Sequence, residues 1–336
     1  MAILVTGGAG YIGSHACVEL LEAGYEVVVV DNFYNSKPVV LERIREITGK
    51  DFKFYEEDCC NEVAMDRIFD ENKIDAVIHF AGYKAVGESV LQPIKYYENN
   101  IGSTIALIKS MQRHECFKIA FSSSATVYGV PEYSPVPETF PLSAVNPYGT
   151  TKLYIEHILG DVYTSDPRWS IALLRYFNPI GAHKSGLIGE NPNDIPNNLM
   201  PYITKVAAKE LPILHVFGND YNTKDGTGVR DYIHVVDLAK GHIAALRKIL
   251  ETTGIEAYNL GTGKGYSVLE IVENFKRVNN IDVPYQIDPR RPGDIDEYFA
   301  DPTKAKVELG FECELGIEEM CRDSWHFIEE EKKREL

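Results

Sequence analysis

A glycine turn sits where the first apolar run of the chain ends. Ile3-Leu4-Val5 is short and continuous. Thr6 follows, and then Gly7-Gly8-Ala9-Gly10-Tyr11-Ile12-Gly13, a G-x-x-G-x-x-G pattern. Behind it Ile12, Ala16, Leu20 and Val18, Leu21 recur at helical period until Gly24 stops the run. A strand, a turn kept tight by glycines and a helix whose first N–H groups are free make a cradle for a pyrophosphate. That order of elements belongs above all to doubly wound parallel sheets.

The first half of the chain agrees. Val27–Val30 is too continuous for a sheet with one wet face. Further strands are predicted at Phe52–Tyr55, Ala76–Phe80, Ile119–Ser122 and Ile171–Arg175, with helices near 61–71, 92–113 and 147–164 between them. Strand–helix alternation at this spacing predicts an α/β fold, a Rossmann-type doubly wound parallel sheet with helices on both faces. After Phe177 the character changes, and Asn178 to Pro201, rich in Asn, Gly and Pro, is expected to form long loops. Segments near 213–217 and 256–260 are candidate strands for a return to the sheet, and helices are expected near 236–251, 267–279 and 316–333. We therefore expect a dinucleotide-binding domain over 1–180 and a smaller, discontinuous C-terminal substrate-binding domain made mainly from 181–336. A length of 336 residues suits two such units.

Charge and cysteine usage exclude several classes. Thirty-four basic against 50 acidic residues leave a net charge of −16, a poor match for nucleic acid or an anionic membrane. Phosphates must then be held by local devices. No apolar run is long enough to predict a transmembrane helix, and Met1-Ala2-Ile3-Leu4-Val5 lacks the basic start of a signal peptide. Cys17, Cys59, Cys60, Cys116, Cys313 and Cys321 include no C-x-x-C pair, the usage of a reducing compartment, so a cytoplasmic protein is expected. His15, His79 and His234 lie in separate segments without ligand spacing, and no metal is expected. The tail Glu329-Glu330-Glu331-Lys332-Lys333-Arg334 is expected to be a solvated helix end.

Asp31 closes the second predicted strand, where a carboxylate holds the ribose hydroxyls and repels a 2′-phosphate. NAD is expected rather than NADP, although the nearby cations Lys37 and Arg43 argue the other way. Asp58 follows the third strand; it is a candidate to accept from an adenine amino group, or else an ordinary turn carboxylate. Tyr148-x-x-x-Lys152 spans one turn of a predicted helix, so the two side chains share a face. Upstream, Phe121-Ser122-Ser123-Ser124 ends a strand in hydroxyls. A tyrosine titrates at about 10. A Lys152 ammonium and a cationic nicotinamide ring both favour the phenolate, which makes Tyr148 a base and Ser124 its partner on one substrate hydroxyl.

Together these motifs resemble the extended short-chain dehydrogenase/reductase superfamily. Within it the chain is similar to the UDP-glucose 4-epimerase family over nearly its whole length. The most specific stretches are Thr6–His15, Asp31-Asn32 with Asn35-Ser36-Lys37, His79–Gly82 with Lys84–Ser89, and Ser122–Gly129. Leu174–Pro179, Ile195–Pro201 and Gly226–His234 complete them. The resemblance implies NAD-dependent interconversion of UDP-galactose and UDP-glucose, a step of galactose metabolism, by oxidation at C4, rotation of the 4-keto sugar and re-reduction. It implies Ser124, Tyr148 and Lys152 as the catalytic group. It also implies NAD contacts from Gly7, Gly10, Tyr11, Ile12, Gly13, Asp31, Asn32, Asn35, Ser36, Asp58, Cys59, Phe80, Ala81, Lys84, Asn99, Ser124, Tyr148, Lys152 and Phe177. Position 59 is Cys where relatives often carry an aliphatic residue, which matters little because the backbone is used there.

The nucleotide-sugar site implied is Ser124, Tyr148, Asn178, Asn198, Phe217, Arg230, Arg291, Asp294 and Tyr298. Paired arginines suit a diphosphate, Phe217 offers an apolar face to uracil, and Tyr298 walls off the sugar's 2-substituent. A homodimer through the helices near 92–113 and 147–164 is also implied. The alternatives are a UDP-N-acetylglucosamine 4-epimerase, another epimerase or dehydratase of the superfamily, or a sensor that has lost catalysis. Related 4,6-dehydratases carry an Asp-Glu pair after the serine strand; Ser124-Ala125-Thr126-Val127-Tyr128 has no acid. A sensor would have lost the Tyr or the Lys.

Overall fold

Residues 1–191, 198–291 and 294–335 are described by the computed structural model. The expected run Ile195-Pro196-Asn197 lies outside them. The first half runs β1 (Ala2–Thr6), α1 (Tyr11–Glu22), β2 (Glu26–Asp31), α2 (Val39–Thr48), β3 (Lys53–Glu56), α3 (Glu62–Glu71) and β4 (Ile74–His79). It continues through α4 (Val86–Leu91), α5 (Pro93–Arg113), β5 (Lys118–Ser122), α6 (Pro147–Ser165) and β6 (Ser170–Tyr176). The second half runs β7 (Asn178–Ile180), α7 (Leu199–Ala207), β8 (Leu214–Phe217), β9 (Val229–His234), α8 (Val235–Glu251), β10 (Gly254–Leu260) and β11 (Gly265–Ser267). It ends with α9 (Val268–Asn279), β12 (Tyr285–Asp288), β13 (Glu297–Tyr298), α10 (Thr303–Leu309) and α11 (Ile317–Glu335).

Seven parallel strands form one sheet in the order β10-β6-β5-β4-β1-β2-β3. Alternate residues feed its two faces. Ile3, Val5, Val27, Val29 and Ile78 pack with Leu20 of α1, Ile44 of α2 and Leu238 and Leu246 of α8. Leu4, Val28, Val30, Val77 and Phe121 pack with Ile68 of α3, Leu107 of α5 and Ile155 of α6. Burial on both faces is why these strands are continuous apolar runs. The strand order reverses at β1, with Val5 opposite Val29 on one side and Ile78 on the other. A crevice beyond the strand C-termini opens at such a point.

A smaller domain built around mixed pairing lies beside this sheet. β9 pairs antiparallel with β11 and parallel with β13 and β7. Its core gathers Met200 and Ile203 of α7, Tyr232 of β9, Ile271 and Phe275 of α9 and Met320 of α11. Of the two segments expected to be able to return to the main sheet, Gly254–Leu260 does so, in parallel register with β6. Leu214–Phe217 does not; it pairs with β12. Its burial alternates between buried and half-buried, whereas the central main-sheet strands β1, β4, β5 and β6 are buried almost throughout. The span expected as loop from 178 to 201 also holds β7 and the start of α7.

Candidate active site

The glycine turn bends back on the sheet. The Gly7 N–H donates to Val30 O at 2.7 Å, and the Gly10 N–H to Gly7 O at 3.1 Å. Gly7 has φ of +70°, and a Cβ there would lie 2.9 Å from the Ala81 nitrogen. A Cβ on Gly13 would lie 2.2 Å from Gly7 O, so any side chain at either place would push the turn open. No side chain caps α1 at Gly10. The first N–H groups of that helix are therefore available to an anion, with the positive end of the helix dipole behind them. The donor set fits a dinucleotide diphosphate.

Asp31, at the end of β2, is tied into the same turn. Its carboxylate accepts from Ala9 N–H at 3.0 Å, Phe33 N–H at 2.9 Å and the Ser36 hydroxyl at 2.8 Å. It thus shapes the loop carrying Asn35 and Ser36. Asn32 donates to Asp58 at 3.1 Å, and Asp58 also accepts from Cys60 N–H at 2.8 Å. The Cys59 thiol is buried, which raises its pKa. Arg43 is committed elsewhere: it is buried, donates to Leu187 O at 3.1 Å and pairs with Glu331 of α11. Lys37 is exposed. Phe80 packs on His242, ring centroids 4.7 Å apart. Ala81 stands against Gly7, and Asn99 donates to Asn100 at 3.0 Å. Ile12 packs against the core cluster, and the Tyr11 hydroxyl donates to Gly181 O at 2.7 Å. Lys84 reaches Glu190 at 2.9 Å, and Asn198 donates to the same Glu190 oxygen at 2.9 Å.

The serine, tyrosine and lysine meet at the C-terminal end of β5. Asn146 caps α6 by accepting from Gly149 N–H at 2.8 Å, with Pro147 in the first position. That fixes Tyr148 in the first turn and Lys152 one turn later. Thr126 donates to Ser124 Oγ through its N–H at 3.2 Å and its hydroxyl at 3.0 Å. The Ser124 hydroxyl, accepting twice, keeps its own proton to give toward Tyr148, whose pKa it lowers against the effect of burial. The Lys152 ammonium donates to Ser122 O at 2.7 Å and lies 5.9 Å from the Tyr148 ring centroid.

Burial dominates the electrostatics of the protein side chains here. Burial raises the Tyr148 pKa, the Ser124 hydrogen bond opposes that rise, and Lys152 does not reverse it. Burial also lowers Lys152 to about 8, with Glu156 acting in the other direction. In a site this dry, desolvation outweighs the charge of a lysine that turns its ammonium to a backbone carbonyl.

Sequence reasoning missed the groups around this trio. Asn100 donates to Thr151 and to Tyr83 O, both at 3.0 Å, and so ties α5 to α6. Glu156 and Arg175 form a buried bidentate pair beside Ser123. The Glu156 position, one turn beyond Lys152 on the same helix face, was the one signal available. His79 bonds Thr6 at 2.7 Å and Thr104 at 3.1 Å, a structural arrangement.

On the other side of the crevice, Phe177 and Tyr298 meet at 5.0 Å between ring centroids. Asn178 is exposed at the start of β7. Arg230 pairs with Asp294, which also accepts from Tyr221 at 3.3 Å. The Arg291 guanidinium lies 4.1 Å over the Phe217 ring, so arginine engages the face expected for uracil. The crevice thus carries a phosphate cradle, a buried hydroxyl–amine group and a rim of arginines and aromatics.

A family model described as GDP-mannose 4,6 dehydratase matches residues 4–324. The chain is 64% identical over 327 residues to the UDP-glucose 4-epimerase of Bacillus subtilis (strain 168), covering 97% of this chain and 96% of that protein. Among solved structures, the UDP-glucose 4-epimerase from Bifidobacterium longum in complex with NAD+ and UDP matches with a TM-score of 0.95 at 55% identity, covering 99% of each chain. The UDP-glucose 4-epimerase from Stenotrophomonas maltophila with bound NAD and formylated UDP-arabinopyranose matches with a TM-score of 0.98 at 49% identity, again covering 99% of each. With a parallel sheet switching at a glycine turn and a Ser–Tyr–Lys group at the end of β5, this chain belongs to the UDP-glucose 4-epimerase family of the extended short-chain dehydrogenases/reductases.

Proposed function

We propose that the protein interconverts UDP-glucose and UDP-galactose with tightly held NAD, oxidising C4, turning the 4-keto sugar over and reducing its other face. One observation carries the reading: the glycine turn at the head of α1 and the buried Ser124–Tyr148–Lys152 group lie along the same strand ends of one sheet. Relatives at this identity, solved with NAD and UDP ligands, support it.

NAD, when bound, supplies the hydride acceptor and donor. Gly7, Gly10, Tyr11, Ile12 and Gly13 hold its diphosphate with backbone N–H groups. Asp31, Asn32, Asn35, Ser36, Asp58 and Cys59 hold the adenosine half, and Phe80, Ala81, Lys84, Asn99 and Phe177 the remainder. Tyr148 takes the proton from O4 and later returns it, with Ser124 hydrogen-bonded to the same oxygen. Lys152 adds its positive charge to that of the nicotinamide ring, and the two together would favour the Tyr148 phenolate that this transfer needs. Arg230 and Arg291 grip the diphosphate, and Asn178, Asn198, Phe217, Asp294 and Tyr298 shape the rest of the site. Such a site holds UDP firmly and the hexose loosely, which rotation requires.

The family model's description raises dehydration as a second reading. Elimination needs an acid and a base at C5 and C6. The segment from Ser124 to Tyr128 carries no carboxylate, and the nearby Glu156 is bound to Arg175. We further read the protein as a cytoplasmic homodimer. Its six cysteines are free thiols. Leu91, Ile94, Ile105 and Tyr154 are exposed apolar side chains on α4, α5 and α6, the helices through which a second copy would pack. No described helix is long and apolar enough to cross a membrane. Incubating the purified protein with UDP-galactose and no added cofactor tests the main reading. UDP-glucose is the expected product; a keto-deoxy sugar means dehydration, and unchanged substrate refutes catalysis.

A further inference from the structure

We propose that Glu156 is a positioning residue for the proton-handling pair: it fixes the strands and helix that carry Ser124, Tyr148 and Lys152, and it balances Arg175 so that Lys152 keeps its charge. The inference rests on the reading of Tyr148 and Lys152 given above. Glu156 lies one turn beyond Lys152 and two beyond Tyr148 on α6. Its side chain is 4% exposed, and that of Arg175 is 6% exposed. Arg175 grips it bidentately, at 2.6 Å and 3.0 Å. The Ser123 hydroxyl donates to it at 2.5 Å. One carboxylate therefore joins α6, the residue before Ser124, and the strand leading to Phe177 and Asn178. Arg175 extends the tie to Tyr128 and Glu138 O, both at 3.1 Å, and Tyr128 reaches Asn259 at 2.7 Å.

Stability alone does not account for this pair. A buried ion pair is often no better for folding than apolar side chains of the same volume. Its position beside a second buried cation gives it another use. The groups that face Lys152 are Tyr148 and Glu156 on α6, the Phe121 ring and Ser122 O on β5, and His79 on β4; Arg175 on β6 stands behind Glu156, and Tyr176 on the opposite face of β6 bonds the Ser122 hydroxyl. His79 is neutral, because burial and Lys152 hold its pKa at about 3. Glu156 is the acid of this group. Without it, Arg175 and Lys152 would be two unbalanced cations in a dry pocket, and Lys152 would shed its proton near neutrality.

The test is kcat against pH for the full-length holoenzyme with UDP-galactose. Activity needs Lys152 charged, so its deprotonation sets an alkaline limb. Glu156→Gln is expected to move that limb down by about 1 pH unit or more, with KM little changed. Arg175→Gln leaves Glu156 to face Lys152 alone and is expected to move the limb up. The double variant Glu156→Gln/Arg175→Gln should bring it back toward the wild-type position. Local disruption would move both single variants the same way. If one single variant fails to fold, the direction of the other decides. A limb unmoved in the folded single variants, or moved the same way in both, overturns the proposal. Absence of turnover by the wild-type protein at every pH would instead sink the functional reading.

Discussion

The Tyr298 hydroxyl donates to the carbonyl oxygen of Ala125, the residue after Ser124. Its ring lies against Phe177, and its backbone stands opposite Arg230 in the β13–β9 pair. A ring held at its tip, face and backbone has little freedom to withdraw. Forcing extra heavy atoms into such a site costs about 1–3 kcal/mol, or roughly 5- to 150-fold in rate. UDP-N-acetylglucosamine is therefore expected to show kcat/KM lower than UDP-glucose by that range, and Tyr298→Cys to recover much of the difference. Equal kcat/KM for the two sugars in the unmodified protein would remove Tyr298 as the gate.

Tyr148→Phe keeps the ring and deletes the hydroxyl whose pKa Ser124 lowers. A positioned acid–base group is worth about 10²–10⁴-fold, and turnover should fall by that much. UDP binding, read by calorimetry, should survive. Near-normal turnover would reassign the base.

The cofactor extracted from the purified protein should be NAD. The Asp31 carboxylate would repel a 2′-phosphate; of the two nearby cations, Arg43 is held by Leu187 O and Glu331, and Lys37 is exposed with its charge in solvent. Finding mainly NADP(H) by mass spectrometry would overturn this assignment.

Stability should fall in mild acid. Burial lowers His15 and His79 to about 3 and His242 to about 4. Unfolded, each takes a proton near the ordinary value of about 6.5. Between those limits the unfolded chain binds more protons, so stability is complete above about 6.5 and is lost as pH falls toward 4. Each histidine contributes about 1.4 kcal/mol per pH unit across that window. Urea midpoints measured at pH 7.5 and 5 should differ clearly; equal midpoints would mean these rings are not buried neutral.

The legible parts of the fold were those with local causes. Gly7 and Gly13 occupy places where a Cβ cannot fit, so the turn had to be glycine. The two-faced burial of Val27–Val30 wrote itself as an unbroken apolar run. Tyr148 and Lys152 share a helix face through spacing alone. What was hidden depends on partners distant in sequence. Leu214–Phe217 looks like a strand, but nothing in it names β12 as its neighbour. Glu156 and Arg175 look like surface charges until β6 and α6 bury them together. The burial that raises the Tyr148 pKa was hidden for the same reason: it is set by packing, which the spacing of two residues does not reveal.

The central claim is that hydride leaves C4 and returns to C4 without leaving the protein. UDP-galactose deuterated at C4, incubated with the purified protein in ordinary water and followed by NMR, tests it most directly. The account predicts UDP-glucose that retains deuterium at C4. UDP-glucose carrying solvent hydrogen at C4, or no UDP-glucose at all, would contradict it.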